Sequence, residues 1–296
     1  MRVFVIFGPN SSERDLQPFI AVPGTSWQQG VPAAKNEADA IIVFGGDGTI
    51  HRHLAQLVEL QIPVLIVPRG SGNDFARALN LRNLNHSLKA WQKFVSDGNN
   101  VGRVDVGTIK TCDQNGSNAQ EHFFCTVAGV GIDGEVCRRA NKLPRWLRGN
   151  GGYVFTLLPA IFRFTPFPMK ITQSDVLDVS PGFHPTVLAA FANVPAYGGG
   201  MKIAPRAHLD DGQLDVCIIR AMGKLKLFCL FPTIYFGQHV GLTEVEYSQA
   251  AGSRLETEHP LDVYADGEYV CQTPVGVSLR RSALRVIIPE PHSAHN

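Results

Sequence analysis

Two glycine-rich segments, each between an apolar run and a helical pattern, constrain the fold of this chain more than any other feature. Residues 45–49 (GGDGT) follow the apolar run 40–44, and apolar residues at helical spacing continue from 50 to 60. Residues 68–77 (PRGSGNDFAR) follow a second apolar run, 63–67. Short, wholly apolar strands alternating with helices favour a parallel sheet covered on both faces. Both segments are then expected at the carboxyl-terminal edge of the sheet, where ligands bind in such folds.

The residue types of these segments suit phosphate binding. Glycines allow positive φ and let backbone amides approach a ligand closely, and a helix N terminus adds free N–H groups and a positive dipole end. Ser71 offers a hydroxyl and an amide to a phosphate, whereas Asp47 can hold a metal, a ribose or loop amides. The alternative is structural, because Asp-Gly is an ordinary turn and Asn73 and Asp74 are good N-cap residues.

The pattern changes near residue 102, where strands begin to dominate. We predict strands at 103–110, 122–127, 186–192, 214–220, 261–265 and 284–288. Helices are expected near 153–164 and 224–238, and the Asn-Gly of 113–118 predicts a hairpin turn. The chain therefore divides into an α/β domain at 1–105 and a β-rich domain at 106–282.

Composition excludes several other classes of protein. A net charge of +1 over 296 residues, with no block of like charges, argues against a nucleic-acid partner. The six cysteines form no C-x-x-C pair, which argues against a zinc site or disulfide framework and favours a reducing, cytoplasmic location. The longest apolar region, 153–168, contains Pro159, Arg163 and Pro166, so no transmembrane segment is expected. The apolar N terminus is interpreted as a first strand rather than a signal peptide.

The two glycine-rich segments together resemble the catalytic domain of the diacylglycerol kinase family. GGDGT is shared with NAD kinases and phosphofructokinases, whereas P-x-G-[ST]-G-N-D-F-A-R is more specific to lipid kinases. Further similar segments follow in the family's order: 123–136 (FFCTVAGVGIDGEV), 193–207 (NVPAYGGGMKIAPRA), 209–216 (LDDGQLDV), 266–268 (DGE) and 284–289 (LRVIIP). The resemblance covers nearly the whole chain.

This resemblance implies a fold and an activity. The fold is an NAD kinase-like α/β domain with a parallel sheet at 1–105 and a β-sandwich substrate domain at 106–282, and the last strand, 283–290, can return to the first domain. The activity is transfer of the γ-phosphate of ATP to a lipid hydroxyl with Mg²⁺, on a diacylglycerol-type substrate. Two alternatives stay open: a kinase for a soluble substrate such as NAD, and a non-catalytic lipid- or nucleotide-binding relative.

The resemblance also implies the residues that meet the nucleotide. An upstream hydroxyl is carried over to Ser26, with Thr25 as its competitor. The full set of implied nucleotide contacts is Ser26, Gly45, Gly46, Asp47, Gly48, Thr49, Arg52, Gly70, Ser71 and Asn73.

Acidic residues near the C terminus carry the remaining implied roles. Glu268 is the expected base for the lipid hydroxyl, and Asp266 shares that role or orients a metal. A structural Mg²⁺ is expected on the Asp211 side chain and on the backbone carbonyls of His208 and Gln213, because a hard cation prefers oxygen ligands.

Several positions depart from the family pattern. Gly8 and Ser12 interrupt the usual N-P-x-[SA]-G, and Cys125 replaces an asparagine. His51 and Arg52 stand where the family often has Asn-Glu, so a cation that can meet a phosphate replaces a carboxylate. The stretch before residue 40 is short, which predicts a trimmed α/β unit. These departures indicate an unusual substrate or weakened catalysis.

A basic stretch at 138–148 (RRANKLPRWLR) predicts how a lipid substrate is reached. Its five cations are interleaved with Leu143, Trp146 and Leu147 and contain no acid, a pattern that suits an anionic membrane surface. The alternative is a solvated face with buried anchors. We therefore expect peripheral contact with a membrane, and the oligomeric state stays open, a homodimer included.

Overall fold

The computed structural model describes residues 1–111, 120–132, 134, 164–174 and 182–289. The chain forms two compact units, an N-terminal unit of Met1–Val106 with the chain from Arg281 onward, and a C-terminal unit of Gly107–Arg280. Strands β5 (Val101–Thr111) and β15 (Val275–Ile287) contribute residues to both. The predicted hairpin turn at 113–118, the basic stretch 138–148 and the predicted helix 153–164 lie outside the described residues.

A parallel sheet forms the centre of the N-terminal unit. Its strands are β1 (Arg2–Phe7), β2 (Ser26–Gln29), β3 (Ala40–Gly45) and β4 (Val64–Pro68), in the order β2-β1-β3-β4. Phe7 lies beside Phe44, and Gly45 beside Pro68, so the carboxyl ends of β1, β3 and β4 are neighbours. The predicted parallel α/β architecture is confirmed.

Apolar side chains explain this sheet and the helices on it. Every residue of β3 is buried, as expected for a central parallel strand. The helices are α1 (Glu13–Ile20), α2 (Asp47–Leu60), α3 (Asp74–Ala78) and α4 (Leu84–Ser96). Helix α2 buries Ile50, Leu54, Leu57 and Val58, the stripe that the helical spacing predicted.

The end of β15 lies at the opposite side of this sheet from β2. Val286 pairs with Val64 of β4 in parallel. Two hydrogen bonds join Ile288, just after β15, to Asn100. The Ile288 N–H donates to Asn100 O at 3.0 Å, and the Asn100 side-chain amide donates to Ile288 O at 2.8 Å. The end of the last strand, from Arg281, therefore belongs to the N-terminal unit.

The short stretch between β1 and β3 keeps its α/β unit. We expected this unit to be trimmed, but α1 and β2 are both present, with eight and four residues. Strand β2 reads SWQQ and is largely exposed, since it is the edge of the sheet. Only Trp27 turns inward, packing 5.7 Å from the ring of Trp91. A polar edge strand lacks the apolar run that marked the other strands.

The C-terminal unit is an antiparallel β structure. Its further strands are β6 (Glu121–Phe124), β7 (Val127–Gly131), β8 (Phe167–Gln173), β9 (His184–Ala192), β10 (Leu214–Arg220), β11 (Val245–Ala250), β12 (Gly252–Thr257), β13 (Asp262–Ala265) and β14 (Glu268–Gln272). Hydrogen bonds join them in the order β14-β13-β7-β9-β8-β12-β15, while β10 and β11 continue from β9 and β6 pairs with β5. The strands enclose an apolar core that includes Phe124, Met169 and Phe191. The predicted β-rich second domain is confirmed.

One further helix, α5 (Lys224–Phe236), follows β10 and ends at Gly237, whose φ of 70° is left-handed. A short 3₁₀ turn, His239–Gly241, connects it to β11. Among the helices in the described ranges, none is long and apolar enough to cross a membrane.

Candidate active site

Three loops meet at the carboxyl edge of the parallel sheet. The Gly8 amide donates to Phe44 O at 2.7 Å, and the Ser11 hydroxyl lies 2.7 Å from the same oxygen. The Arg69 amide donates to Gly45 O at 3.0 Å. The loops after β1, β3 and β4 are therefore held together through the backbone end of β3.

Glycine is needed in these loops because the two segments approach each other closely. A Cβ on Gly46 would lie 2.6 Å from the Gly70 Cα, and one on Gly70 would lie 2.5 Å from the Gly46 Cα. We predicted that the glycines would supply positive φ, but within 45–49 and 69–74 the left-handed residue is Asn73, with φ of 56°. Close approach of the backbones, rather than turn geometry, explains Gly46 and Gly70.

Asn73 closes the second loop onto itself. Its side-chain oxygen accepts from the Gly70 amide at 2.7 Å, and its side-chain amide donates to Gly70 O at 2.7 Å. The side chain therefore does not cap helix α3, although Asn73 stands at the N-cap position. The N-cap interpretation of the sequence placed Asn73 correctly but gave its side chain the wrong partner.

Asp47 supplies the cap of α3 instead. Its carboxylate accepts from the amides of Asp74 and Phe75, each at 3.1 Å. The sequence left a metal, a ribose and loop amides as possible partners of Asp47. The structure shows that backbone amides are among its partners. The Asp47 carboxylate, which lies at the N terminus of α3, also complements the positive end of that helix's dipole.

The N terminus of α2 has no comparable cap. Its N-cap is Gly46, which makes no side-chain hydrogen bond. Thr49 in its first turn is buried and fills the space toward β1, since a Cβ on Gly8 would lie 2.5 Å from the Thr49 Oγ1. This contact leaves little space for a side chain at position 8. The first turn of α2 is therefore the part of the edge suited to an anion.

Replacing Asp47 with alanine is expected to lower the free energy of unfolding by about 2–4 kcal/mol. The substitution removes both acceptors of the α3 amides, and each hydrogen bond to a charged group contributes about 1.5–3 kcal/mol. Urea unfolding monitored by circular dichroism measures this change. Glu59→Ala on the exposed face of α2 is the matched control, and an equal loss in both variants would contradict the assigned cap.

Other predicted nucleotide residues are less directly tied to this edge. Ser71 is exposed on the second loop, and the Arg52 Nε donates to Gly48 O at 3.1 Å across one turn of α2. Ser26 pairs in register with Arg2 at the start of β2, near the opposite edge of the sheet. The structure does not bring Ser26, or Thr25 beside it, to the loops after β1, β3 and β4.

The carboxyl end of β2 was not predicted from the sequence, because β2 itself could not be recognised. Gln29 at this end pairs with Val5, three positions further along the strand than Ser26, and is exposed.

The candidate metal residues lie in the turn before β10. Asp211 accepts from the Gln213 amide at 3.0 Å and from the Gln249 side-chain amide at 3.3 Å. Gln249 also donates to Asp215 at 3.3 Å. The pKa of Asp215 is raised, mainly because its carboxyl is buried. In the part of the chain that the structure describes, no three His, Cys, Asp or Glu side chains gather as a metal site. Backbone carbonyls would have to complete the oxygen set around Asp211, as the prediction requires.

The two predicted catalytic carboxylates have different surroundings. Asp266, with φ of 53°, begins the turn between β13 and β14. Its carboxylate accepts from the Thr126 amide at 2.7 Å, the Thr126 hydroxyl at 2.5 Å and the Cys125 amide at 3.0 Å. Glu268 is exposed, and its side chain makes no hydrogen bond within the described ranges. This geometry favours Glu268 as the group that can meet a substrate, with Asp266 holding its turn in place.

The same contacts explain how cysteine is tolerated at position 125. The main contact with Asp266 comes from the Cys125 backbone amide, which any residue at this position provides. The buried thiol lies 3.6 Å from the same carboxylate oxygen and adds a weak contact. The departure from asparagine therefore leaves the support of the carboxylate turn intact.

An α/β unit with a glycine-rich sheet edge and a β unit with a carboxylate turn are features of the NAD kinase-like fold. A model of the diacylglycerol kinase catalytic domain matches residues 26–109, and a model of the YegS C-terminal NAD kinase beta sandwich-like domain matches residues 126–288. A diacylglycerol kinase of Mycobacterium tuberculosis is 37% identical over 261 residues, which are 87% of this chain and 79% of the relative. The chain belongs to the diacylglycerol kinase family of lipid kinases.

Solved structures agree with this fold. A diacylglycerol kinase from Bacillus anthracis matches with a TM-score of 0.65 at 22% identity, covering 97% of this chain and 96% of that one. An NAD kinase from Archaeoglobus fulgidus, solved in complex with ATP, matches with a TM-score of 0.53 at 13% identity, covering 98% and 94%. At these identities the likeness shows the fold alone.

Proposed function

We propose that this protein is an ATP- and Mg²⁺-dependent lipid kinase that transfers the γ-phosphate to a hydroxyl of a diacylglycerol-type lipid. The observation that carries the proposal is the uncapped first turn of α2 beside the closely packed Gly46 and Gly70, in a chain of the lipid kinase family. Backbone N–H groups at such a turn suit the phosphates of a nucleotide. Ser71 and Arg52 are the side chains that we assign to the same ligand.

The proposed reaction uses Glu268 as the general base. Its carboxylate accepts the proton of the lipid hydroxyl while the hydroxyl oxygen forms a bond to the γ-phosphorus. The bond between the γ-phosphorus and the β–γ bridging oxygen breaks, and ADP leaves. Asp266 acts as a positioning residue, because its carboxylate is already occupied by the Cys125 and Thr126 amides.

The proposed Mg²⁺ has two places. One ion accompanies the nucleotide phosphates and neutralises their charge when bound. A second, structural ion would be held by the Asp211 carboxylate and the carbonyls of His208 and Gln213. This set consists of oxygen atoms alone, which suits a hard cation.

A small apolar cavity lies in the C-terminal unit, between β9, β10 and the inner face of α5. Its lining residues are Ile132, Val187, Leu188, Tyr197, Met201, Ile203, Ile219, Leu227, Phe231 and Ile234.

The cavity and the carboxylate turn stand at opposite ends of β7. Ile132 follows the last residue of β7, whereas the Asp266 amide donates to Val127 O at its first residue. The separation along the strand is about 15 Å at the rise of an extended chain. The cavity is therefore separate from the carboxylate turn.

A phosphoryl-transfer assay tests the proposal. The protein is incubated with γ-³²P-ATP, with or without Mg²⁺, and with diacylglycerol, phosphatidylglycerol, a sphingoid base, or NAD as acceptor. We expect label in a lipid product only when Mg²⁺ is present, with diacylglycerol labelled fastest. Label in NAD and in no lipid would establish the soluble-substrate alternative, and no transfer to any acceptor would favour a non-catalytic relative.

A further inference from the structure

Arg69 places a cation at the glycine-rich edge of the parallel sheet. It stands directly before Gly70 in the segment 68–77, and its backbone amide donates to Gly45 O at 3.0 Å. Its side chain forms an ion pair with Asp15 of α1, in which the Arg69 Nη2 lies 2.5 Å from the Asp15 Oδ1. The ion pair therefore joins the loop after β4 to the helix that follows β1.

This ion pair spans the carboxyl end of β3. In the sheet, β3 lies between β1 and β4, and neighbouring strands are about 4.8 Å apart. An arginine that leaves the loop after β4 and meets a helix after β1 passes over the strand between them. Residues 45–49 leave the sheet at that point, and α2 begins at Asp47, two residues after Gly45. The Arg69 guanidinium is thus held near the backbone amides that suit a phosphate.

Asp15 holds the guanidinium from a fixed position. Its second carboxylate oxygen, Oδ2, accepts from the Ser12 amide at 3.0 Å, and its own amide donates to Ser12 O at 2.9 Å. Both hydrogen bonds close the first turn of α1, next to the loop after β1. The Asp15 side chain is only 20% exposed, so salt screens this ion pair less than it screens an exposed one.

The ion pair leaves much of the hydrogen-bonding capacity of Arg69 for a ligand. Within the described part of the chain, the side-chain donor that meets an acceptor is Nη2, and the buried Nε–H has none. A buried donor without an acceptor is unfavourable, so this arrangement is not a fully satisfied structural ion pair. The side chain is 31% exposed, and phosphate oxygens match the planar fork of a guanidinium.

We propose that Arg69 binds the outer phosphates of the nucleotide, and that Asp15 is the positioning residue that holds the Arg69 guanidinium at the end of β3. This assignment rests on the proposed function, which places the nucleotide at the first turn of α2. Arg69 adds to Ser71 and Arg52 a side chain whose direction is fixed before the ligand arrives. Its positive charge offsets part of the negative charge of the phosphate chain.

The alternative role of the ion pair is to hold the loop after β4 against α1. The two roles differ in what they predict for nucleotides with different numbers of phosphates. A contact with the outer phosphates contributes only to the binding of nucleotides that carry them. A displaced loop would instead weaken the binding of every nucleotide to the same extent.

Calorimetric titration of the whole protein with ATP, ADP and AMP, in the absence of lipid, tests the proposal. We expect Arg69→Gln to raise the Kd for ATP by roughly 10- to 100-fold, the usual effect of a hydrogen bond to a charged group, and to leave the Kd for AMP unchanged. Arg69→Lys keeps the charge without the planar fork and should recover part of the ATP affinity. Unchanged ATP affinity in Arg69→Gln, or an equal loss for all three nucleotides, would overturn the proposal.

Asp15→Asn tests the positioning role. Asparagine can still accept from the Ser12 amide, but it lacks the charge that holds the guanidinium. We expect kcat for lipid phosphorylation to fall roughly 10- to 100-fold because the guanidinium is misplaced. ATP affinity should stay at or above the wild-type level, since Arg69 remains and a nearby negative charge is gone. A matching loss of affinity for ATP, ADP and AMP would mean that the pair only holds the loops, and would overturn the assignment.

Arg2→Gln is the matched control for these variants. Arg2 forms an ion pair with Asp39 at 3.2 Å, but it stands at the start of β1, at the opposite end of the strand from the glycine-rich edge. Its loss should leave all three nucleotide affinities unchanged.

The same variants separate this assignment from the proposed function. A wild-type protein that binds ATP through Arg69 and labels no lipid would refute the kinase proposal and leave the assignment standing. Lipid labelling by a wild-type protein, with equal ATP affinity and turnover in Arg69→Gln, would refute the assignment and leave the kinase proposal intact.

Discussion

Replacing Glu268 with glutamine is expected to lower kcat for lipid phosphorylation by roughly 10²–10⁴-fold, the usual contribution of a general base. Glutamine keeps the size and polarity of the side chain but cannot accept the hydroxyl proton. Since the Glu268 side chain is exposed and makes no hydrogen bond to another described residue, the substitution should leave the fold intact. The affinity for ATP is expected to be unchanged, because the nucleotide is assigned to the α2 turn and its loops.

Steady-state kinetics with labelled ATP, together with nucleotide binding by calorimetry, measure both expectations. Glu258→Gln, another exposed glutamate of the C-terminal unit, makes the same chemical change away from the carboxylate turn and should retain full activity. Wild-type turnover in Glu268→Gln would remove the base assignment. A large loss of ATP affinity in the same variant would instead mean that Glu268 serves binding rather than proton transfer.

The sequence was informative where one physical cause dominates local structure. Strand β3 could be predicted because every one of its residues is buried, and β10 was predicted at its observed bounds because apolar residues fill it. Helix α2 was predicted from Ile50, yet it begins at Asp47. Three residues of the GGDGT motif, Asp47, Gly48 and Thr49, therefore belong to its first turn, which has no apolar periodicity that would predict a helix.

Polar and irregular elements were predicted less well, because their formation depends on partners that are distant in sequence. Strand β2 forms only as the edge partner of β1. The predicted strand 122–127 is broken at Cys125 and Thr126, whose amides turn away to meet the Asp266 carboxylate about 140 residues later. No local pattern reports a hydrogen bond of that separation.

The candidate site divides in the same way. Motif order and family resemblance predicted Asp47, Asn73, Asp266 and Glu268 as candidate residues and left their partners undetermined. The structure gives Asp47 and Asp266 similar structural tasks, since each carboxylate accepts from two consecutive backbone amides of another segment. Conspicuous acids in a motif can therefore be structural supports, and the exposed Glu268 beside one of them becomes the stronger candidate for chemistry.

Replacing Gly46 with alanine is expected to lower ATP-dependent turnover about 100-fold, because a displacement near 1 Å at a positioning site can have an effect of that size. The new Cβ would stand 2.6 Å from the Gly70 Cα, whereas ordinary contact begins at 3.4 Å. The two loops must therefore separate, and overpacking of this kind also lowers the free energy of unfolding by about 1–3 kcal/mol. Steady-state kinetics and calorimetric titration with ATP follow the nucleotide site, and thermal unfolding follows stability.

The matched substitution is Gly241→Ala, since a Cβ there meets nothing within 4 Å and the residue is not left-handed. It should leave ATP binding at the wild-type level. If Gly46→Ala also bound ATP normally, the close approach of the loops would serve folding alone, and the phosphate site at α2 would lose its main support. If both effects appear together, the same backbone contact that excludes every larger residue at 46 and 70 also sets the distance between the two phosphate loops. The glycines would then be required by the geometry of the ligand site itself.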